Sequence, residues 1–306
     1  MGYLSTLHSP FNFDDGLMVL NNPLIRDLDN FFQTQMIHYR HLFNLSFAFN
    51  FHLGQNDPFG YHLFNIAVHV VASLLVFALA WLTVDRGCGW GQSSALRVSC
   101  FTALVFAFSP LQTEAVTYIS GRTSSMMALF YVLSVLAFAK AGLRNTSVVA
   151  TIGWYVLCLV AFGLALLSKE TAITLPASLL LYDLCFMNNE RFTPLRGRLL
   201  WIYLPVVLML VGIIALSPHL QDQITMWMGR LKPGYALQQL TVIPFAAKMV
   251  LFPINQVFDY DWPYATMSTD ALRVGTSILA IVLMLFALFK IYRRYPWVAF
   301  GLGWFL

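Results

Sequence analysis

Long apolar blocks alternate with short polar breaks along this chain. Tyr61–Val84 is the first convincing block, about 24 residues and enough for a helix to cross a ~30 Å hydrocarbon core. Met126–Ala141, Ser147–Leu167, Thr171–Phe186, Leu199–Leu216 and Leu272–Tyr292 read as further spans, and Val98–Phe108 as a short apolar run. Ser217–Asp270 is mixed in character and contains the apolar stretch Leu240–Phe252. Trp297–Leu306 begins one more span and stops after about 10 residues, too few to cross. Ahead of the spans, Met1–Pro58 is polar and aromatic, broken at Asn21-Asn22-Pro23. Within it Leu24, Leu28, Phe31 and Phe32 share one side of an expected interfacial helix, Leu24–His38.

Composition turns this pattern into a class. The chain is 58% hydrophobic and only 10% charged, where a soluble domain carries roughly a quarter charged residues. It reads as an all-α, polytopic membrane helical bundle. The net charge of +4 is spread thinly, so nucleic-acid binding is not expected. Cys88, Cys100, Cys158 and Cys185 stand far apart with no C-x-x-C, which argues against a zinc site or a disulfide framework. Met1–Gly16 has no apolar core of the kind a cleavable signal peptide needs.

Charge then orients the spans. Arg86, Arg97, Lys140, Arg144, Arg191, Arg196, Arg198, Lys290, Arg293 and Arg294 fall in four loops whose only acids are Asp85 and Glu190. By the positive-inside rule these loops are cytoplasmic. Asp14, Asp15, Glu114, Glu170, Asp259 and Asp261 then share the other compartment, periplasmic or lumenal. Carboxylates from separate segments thereby meet at one membrane face, whereas a transporter would carry them along a path through the midplane.

Each candidate has a bland reading beside the functional one. Asp14-Asp15-Gly16 is good turn chemistry, but two adjacent acids also suit a base with a helper or a hard-cation site. Glu114 and Arg122 flank a short segment behind Pro110, and could simply cap a helix and pair at the surface. Lys169-Glu170, almost without a loop between two spans, is expensive so near hydrocarbon, unless both side chains snorkel to the interface. His62 and His69 are seven apart on one helix face, which fits hydrogen-bonded core histidines better than the four-residue spacing of a zinc pair. Asp259-Tyr260-Asp261 before Trp262-Pro263 is a rigid loop or a cradle for a sugar or peptide.

The motifs combine into a resemblance. Phe13-Asp14-Asp15, Asn22-Pro23, Tyr39-Arg40-His41-Leu42, Pro58-Phe59-Gly60-Tyr61-His62-Leu63, Thr113-Glu114-Ala115-Val116 and Ser168-Lys169-Glu170-Thr171 occur in that order. Together they resemble the membrane half of the transmembrane and tetratricopeptide-repeat O-mannosyltransferases and their bacterial relatives, within the GT-C glycosyltransferases. The similarity runs from Ser9 to Leu306. His41 stands where that family commonly has proline, and Ser109 where it often has histidine. No 34-residue repeat is visible.

What the resemblance implies is an inverting glycosyltransferase, moving a mannose-like sugar from a polyprenyl-phosphate donor to a hydroxyl of a protein or glycan acceptor. It implies a GT-C-type bundle with short external loops and interfacial helices. In it residues 1–58 form the first external loop, 59–216 the helical core, 217–270 an external loop region and 271–306 the C-terminal helices. Asp14, with Asp15 and Glu114, would be catalytic. Arg40, Arg122 and Lys169 would meet the donor phosphate, and Tyr61, His62, Glu170, Asp259 and Asp261 the substrates. A divalent metal is compatible with the oxygen ligands but is not required by the family. Short loops and the lack of repeats favour a bacterial inner membrane over the endoplasmic reticulum. The chain also reads as shortened, lacking a helix ahead of Asp14 and more beyond Leu306. A non-catalytic membrane scaffold, or a degenerate fragment, is therefore the alternative.

Overall fold

A segment in hydrocarbon has only its own backbone to satisfy its N–H and C=O groups, so apolar runs of this length become helices. The computed structural model describes residues 3–28, 31, 40–144, 146–187, 192–193, 198–216, 221–222, 225–226, 229, 233–257, 260 and 270–306. Among the described residues there is no β-strand, only one isolated bridge between Leu143 and Phe192. Four helical segments among them are long and apolar enough to cross a membrane: Pro58–Gly87, Ile119–Ala141, Val148–Ser168 and Ala271–Ile291. Gln92–Phe108 with Pro110–Thr117 makes a fifth if the pair, bent by 48°, counts as one span. The protein is thus an all-α polytopic membrane bundle.

The chain divides into two compact units, Met1–Leu210 and Val211–Leu306. The first holds α1 (His41–Gly54), α2 (Pro58–Leu82), α3 (Gln92–Phe108), α4 (Thr113–Thr117), α5 (Arg122–Ala141), α6 (Val148–Ser168) and α7 (Leu175–Phe186). Helix α2 packs between α3 and α5, and α5 packs against α6. Helix α2 starts sharply because Asp57 accepts the Phe59 N–H at 3.0 Å and Pro58 occupies its first turn. The starts of α2 and α5, the ends of α3 and α6, and all of α4 lie at one end of this unit. Arg86, Arg97, Lys140 and Arg144 lie toward the other, where Lys140 sits 4.6 Å over the Trp154 ring. There Arg198 also pairs with Asp183 in a buried ion pair.

Two expectations are revised. The run Val98–Phe108 is the second half of a longer helix, α3, which starts at Gln92 after Gly91 turns with φ +83°. It bends where Pro110, lacking an N–H, opens a 3-10 turn capped by Ser109. Thr171–Phe186 is not one long helix. A 3-10 turn, Glu170–Thr174, precedes the 12-residue α7, whose first turn holds Pro176. At 1.5 Å per residue α7 rises about 18 Å, short of the bilayer core. Of the expected interfacial helix Leu24–His38, the described part begins with a 3-10 turn, Pro23–Ile25, and most of the remainder lies outside the described residues.

The first unit also contains an element the hydrophobic pattern did not predict. Helix α1 begins from Arg40, a non-glycine residue at φ +54°. Its Phe43, Phe47 and Ala48 join Val19, Ile25, Phe31, Tyr61 and Ile119 in one buried cluster. That cluster presses the N-terminal segment onto the end of the bundle where α2 and α5 begin.

In the second unit α8 (Leu204–Leu216), which begins in the first, is followed by α9 (Pro233–Leu251), α10 (Ala271–Ile291) and α11 (Pro296–Phe305). Helix α9 packs on α10 and α10 on α11. Arg273 reaches Thr241 at 3.2 Å across the α9–α10 pair.

Candidate functional site

The turn between α4 and α5 organises the acidic end of the first unit. Tyr118 and Ser120 lie on that turn, and both reach the N-terminal segment. The Asp14 N–H donates to the Tyr118 hydroxyl oxygen at 2.9 Å. The Asp15 carboxylate accepts the Ser120 N–H at 2.9 Å, the Ser120 hydroxyl, and the Asn12 N–H at 3.0 Å. The adjacent acids therefore differ: Asp15 is buried at 1% exposure, while Asp14 is exposed and its carboxylate has no hydrogen-bond partner among the described residues.

Gly121 lets this turn close. A Cβ there would stand 2.5 Å from the Glu114 carbonyl oxygen and 3.2 Å from the Ala115 Cα, both backbone atoms that cannot step aside. Gly121→Ala should therefore cost about 1–3 kcal/mol, as overpacking does. The unfolding midpoint in detergent should fall, and a midpoint equal to wild type would show that the turn is free to open.

Behind the turn, Arg122 is fully buried at the start of α5. Its Nε donates to Asn65 Oδ1 at 2.6 Å, one Nη to Asn50 Oδ1 at 2.7 Å and Ser46 Oγ at 3.1 Å, and the other to the Tyr61 carbonyl at 2.8 Å. The guanidinium also lies 4.4 Å over the Phe47 ring and 4.3 Å over the Phe64 ring. Asn65 passes the connection on, its Nδ2 donating to the Tyr118 and Ile119 carbonyls at 3.1 and 3.3 Å. Arg122, expected at the donor phosphate, has no exposed surface, and its donors are taken up within the protein. Tyr61 and His62, expected to meet the substrates, are likewise interior. The Tyr61 hydroxyl donates to the Gln55 carbonyl at 2.9 Å. His62 Nε2 lies 3.1 Å from the Ser9 carbonyl, so the proton is on Nε2. His69 is similarly buried against the Ala107 carbonyl.

The other predicted cations stand more openly. Arg40 meets Glu170 at 3.2 Å, both side chains about one quarter exposed. Lys169 Nζ donates to Ser124 Oγ at 2.9 Å, on the first turn of α5. Burial holds the Lys169 ammonium below its ordinary pKa, helped by the Arg40 charge, while Glu170 and Glu114 push the other way. Glu114 is exposed on α4. Asp14, Glu114, Arg40, Lys169 and Glu170 are therefore all at the acidic end of the first unit. Asp259 and Asp261 lie outside the described residues, as do Arg191, Arg196 and Glu190 of the basic loops. Among the described residues no group of three or more His, Cys, Asp or Glu stands close enough to hold a metal ion.

Sequence reasoning missed Tyr118, Ser120, Ser124 and the Asn65–Asn50–Ser46 shell of Arg122. A signal existed for Asn65, since an amide inside an apolar span needs a buried partner. Nothing local marked Tyr118 or Ser120, whose partners are more than 100 residues away.

Comparison with known proteins supports the resemblance. The chain is 27% identical over 254 residues to human protein O-mannosyl-transferase TMTC2, covering 76% of this chain and 29% of that protein. It is 34% identical over 197 residues to Drosophila melanogaster protein O-mannosyl-transferase Tmtc1, covering 60% and 21%. To human protein O-mannosyl-transferase TMTC1 it is 30% identical over 217 residues, covering 64% and 24%. The chain thus spans less than a third of the length of the curated relatives it matches. No protein-family model matches it, and no solved structure does. Over the matched residues, the chain is a homologue of the transmembrane and tetratricopeptide-repeat O-mannosyltransferase family.

Proposed function

We propose that the acidic end of the first unit is the reaction site of a membrane glycosyltransferase, taking a mannosyl group from a polyprenyl-phosphate donor to a protein hydroxyl. The observation that carries this reading is the sorting of the acidic pair. Asp15 is committed to Ser120, which leaves Asp14 as an exposed carboxylate on an anchored loop, at the same end as Arg40 and Lys169. The matched relatives are named for O-mannosyl transfer.

The chemistry follows from these groups. The acceptor oxygen attacks the anomeric carbon, and Asp14 takes its proton as general base. The bond from that carbon to the phosphate oxygen breaks and its electron pair leaves with the lipid phosphate, inverting the centre through an oxocarbenium-like transition state. Arg40 and Lys169 stabilise the negative charge growing on the phosphate. Glu170 orients Arg40, and Ser124 orients Lys169. By the positive-inside rule this end faces the periplasm or lumen. The direct test is transfer from radiolabelled polyprenyl-phosphate sugars in membranes carrying the protein. Transfer from the mannosyl donor supports the reading. A folded, inserted protein that uses no donor would make it a scaffold.

Lys169 adds a pH signature. A lowered pKa means that the ammonium loses its proton at lower pH than an ordinary lysine, so donor binding should weaken early on the alkaline side. The KM for donor should rise there, and Lys169→Arg, whose guanidinium stays charged, should flatten that limb. An unchanged alkaline limb in Lys169→Arg would remove Lys169 from the phosphate site.

A further inference from the structure

Adjacent aspartates in a turn are chemically alike, and a solvated turn lets them exchange places. Here they do not. Asp15 is held through its side chain by Ser120 and Asn12, whereas Asp14 is held through its main chain by the Tyr118 hydroxyl. The two anchors, residues 118 and 120, sit on a segment that is itself immobilised. Asn65 grips the Tyr118 and Ile119 carbonyls, Arg122 grips Asn65, and Gly121 packs directly on the Glu114 backbone. A rigid path therefore runs from the buried core of the bundle to the amide of Asp14.

We propose that Tyr118 is a positioning residue for Asp14: its hydroxyl oxygen fixes the Asp14 backbone so that this carboxylate, and not Asp15, faces the acceptor. Burial raises the pKa of the Tyr118 phenol, opposed by the hydrogen bond from the Asp14 N–H and helped by the Asp15 and Asp14 charges. A protonated phenol keeps lone pairs with which to accept the Asp14 N–H. The proposal rests on the reading of Asp14 as base and adds a residue that acts through it.

The test is a double-mutant cycle in the transfer assay, with Tyr118→Phe, Asp14→Asn and both together. Removing one hydroxyl should misplace the base and lower kcat about 10- to 100-fold, the scale of an ångström of misplacement. The donor KM and the unfolding midpoint should stay near wild type. In the Asp14→Asn background, Tyr118→Phe should cause no further loss, because there is no base left to position. Full activity in Tyr118→Phe, with Asp14→Asn inactive, overturns the positioning role while leaving the base in place. Losses that multiply in the double variant, or that track a lower unfolding midpoint, overturn it too. Wild-type transfer by Asp14→Asn removes the base itself, and the positioning role with it.

Discussion

Asp14→Asn should lower sugar transfer by about 10²- to 10⁴-fold, the range that a general base contributes. The substitution keeps the shape of the side chain and removes only its ability to take a proton. The Asp14 N–H to Tyr118 contact is made by the backbone and survives the change. Asp15 keeps its three hydrogen bonds, so the loop stays docked. Membrane insertion, extraction and the unfolding midpoint should therefore match wild type, and the donor KM should change little. The measurement is the initial rate of transfer from a radiolabelled mannosyl polyprenyl phosphate, with the amount of folded protein fixed. Retained transfer would move the base elsewhere, with exposed Glu114 the next carboxylate at that end.

Arg122→Met should have the largest effect on stability. The long apolar side chain fills much of the same volume, so the loss is of hydrogen bonding more than of packing. Four acceptors would lose the guanidinium: Asn65 Oδ1, Asn50 Oδ1, Ser46 Oγ and the Tyr61 carbonyl. Each buried acceptor left unsatisfied costs about 1–3 kcal/mol, and relaxation keeps the costs from adding fully. A total of about 3–5 kcal/mol is expected, a large part of the stability of an ordinary domain. Arg122→Lys should rescue only part of it, since a single ammonium cannot reach α1 and α2 through a planar fork. Unfolding midpoints in detergent decide the matter. A stable Arg122→Met protein that had lost donor binding would return Arg122 to the phosphate site, against its complete burial.

The amino-acid sequence by itself determined the class of this protein. Long apolar blocks have one stable outcome in a bilayer, so the spans read at Tyr61–Val84, Ser147–Leu167 and Leu272–Tyr292 match Pro58–Gly87, Val148–Ser168 and Ala271–Ile291, whereas Met126–Ala141 gave only the apolar part of Ile119–Ala141. Sparse charges in so apolar a chain also marked which helix ends carry the acids, because a charge without partners costs least near water. Element ends were less legible. The predicted span Thr171–Phe186 is interrupted because a 3-10 turn and Pro176 set where α7 can begin, and average hydrophobicity does not register either. Helix α1 escaped notice because its polar residues Ser46 and Asn50 look like solvated positions until Arg122 is placed opposite them.

The surroundings of the charged residues were decided only by tertiary structure. Arg122 and Lys169 are equally cationic as letters, yet one is enclosed by asparagines, a serine and aromatic rings, and the other is half-buried near Arg40. Asp14 and Asp15 are neighbours of the same type, and what separates them is Tyr118 and Ser120, more than 100 residues along the chain. Hydrogen bonds are short-ranged and directional, so a side chain's role follows from the few atoms within 3 Å of it. Those atoms come from segments that only folding brings together.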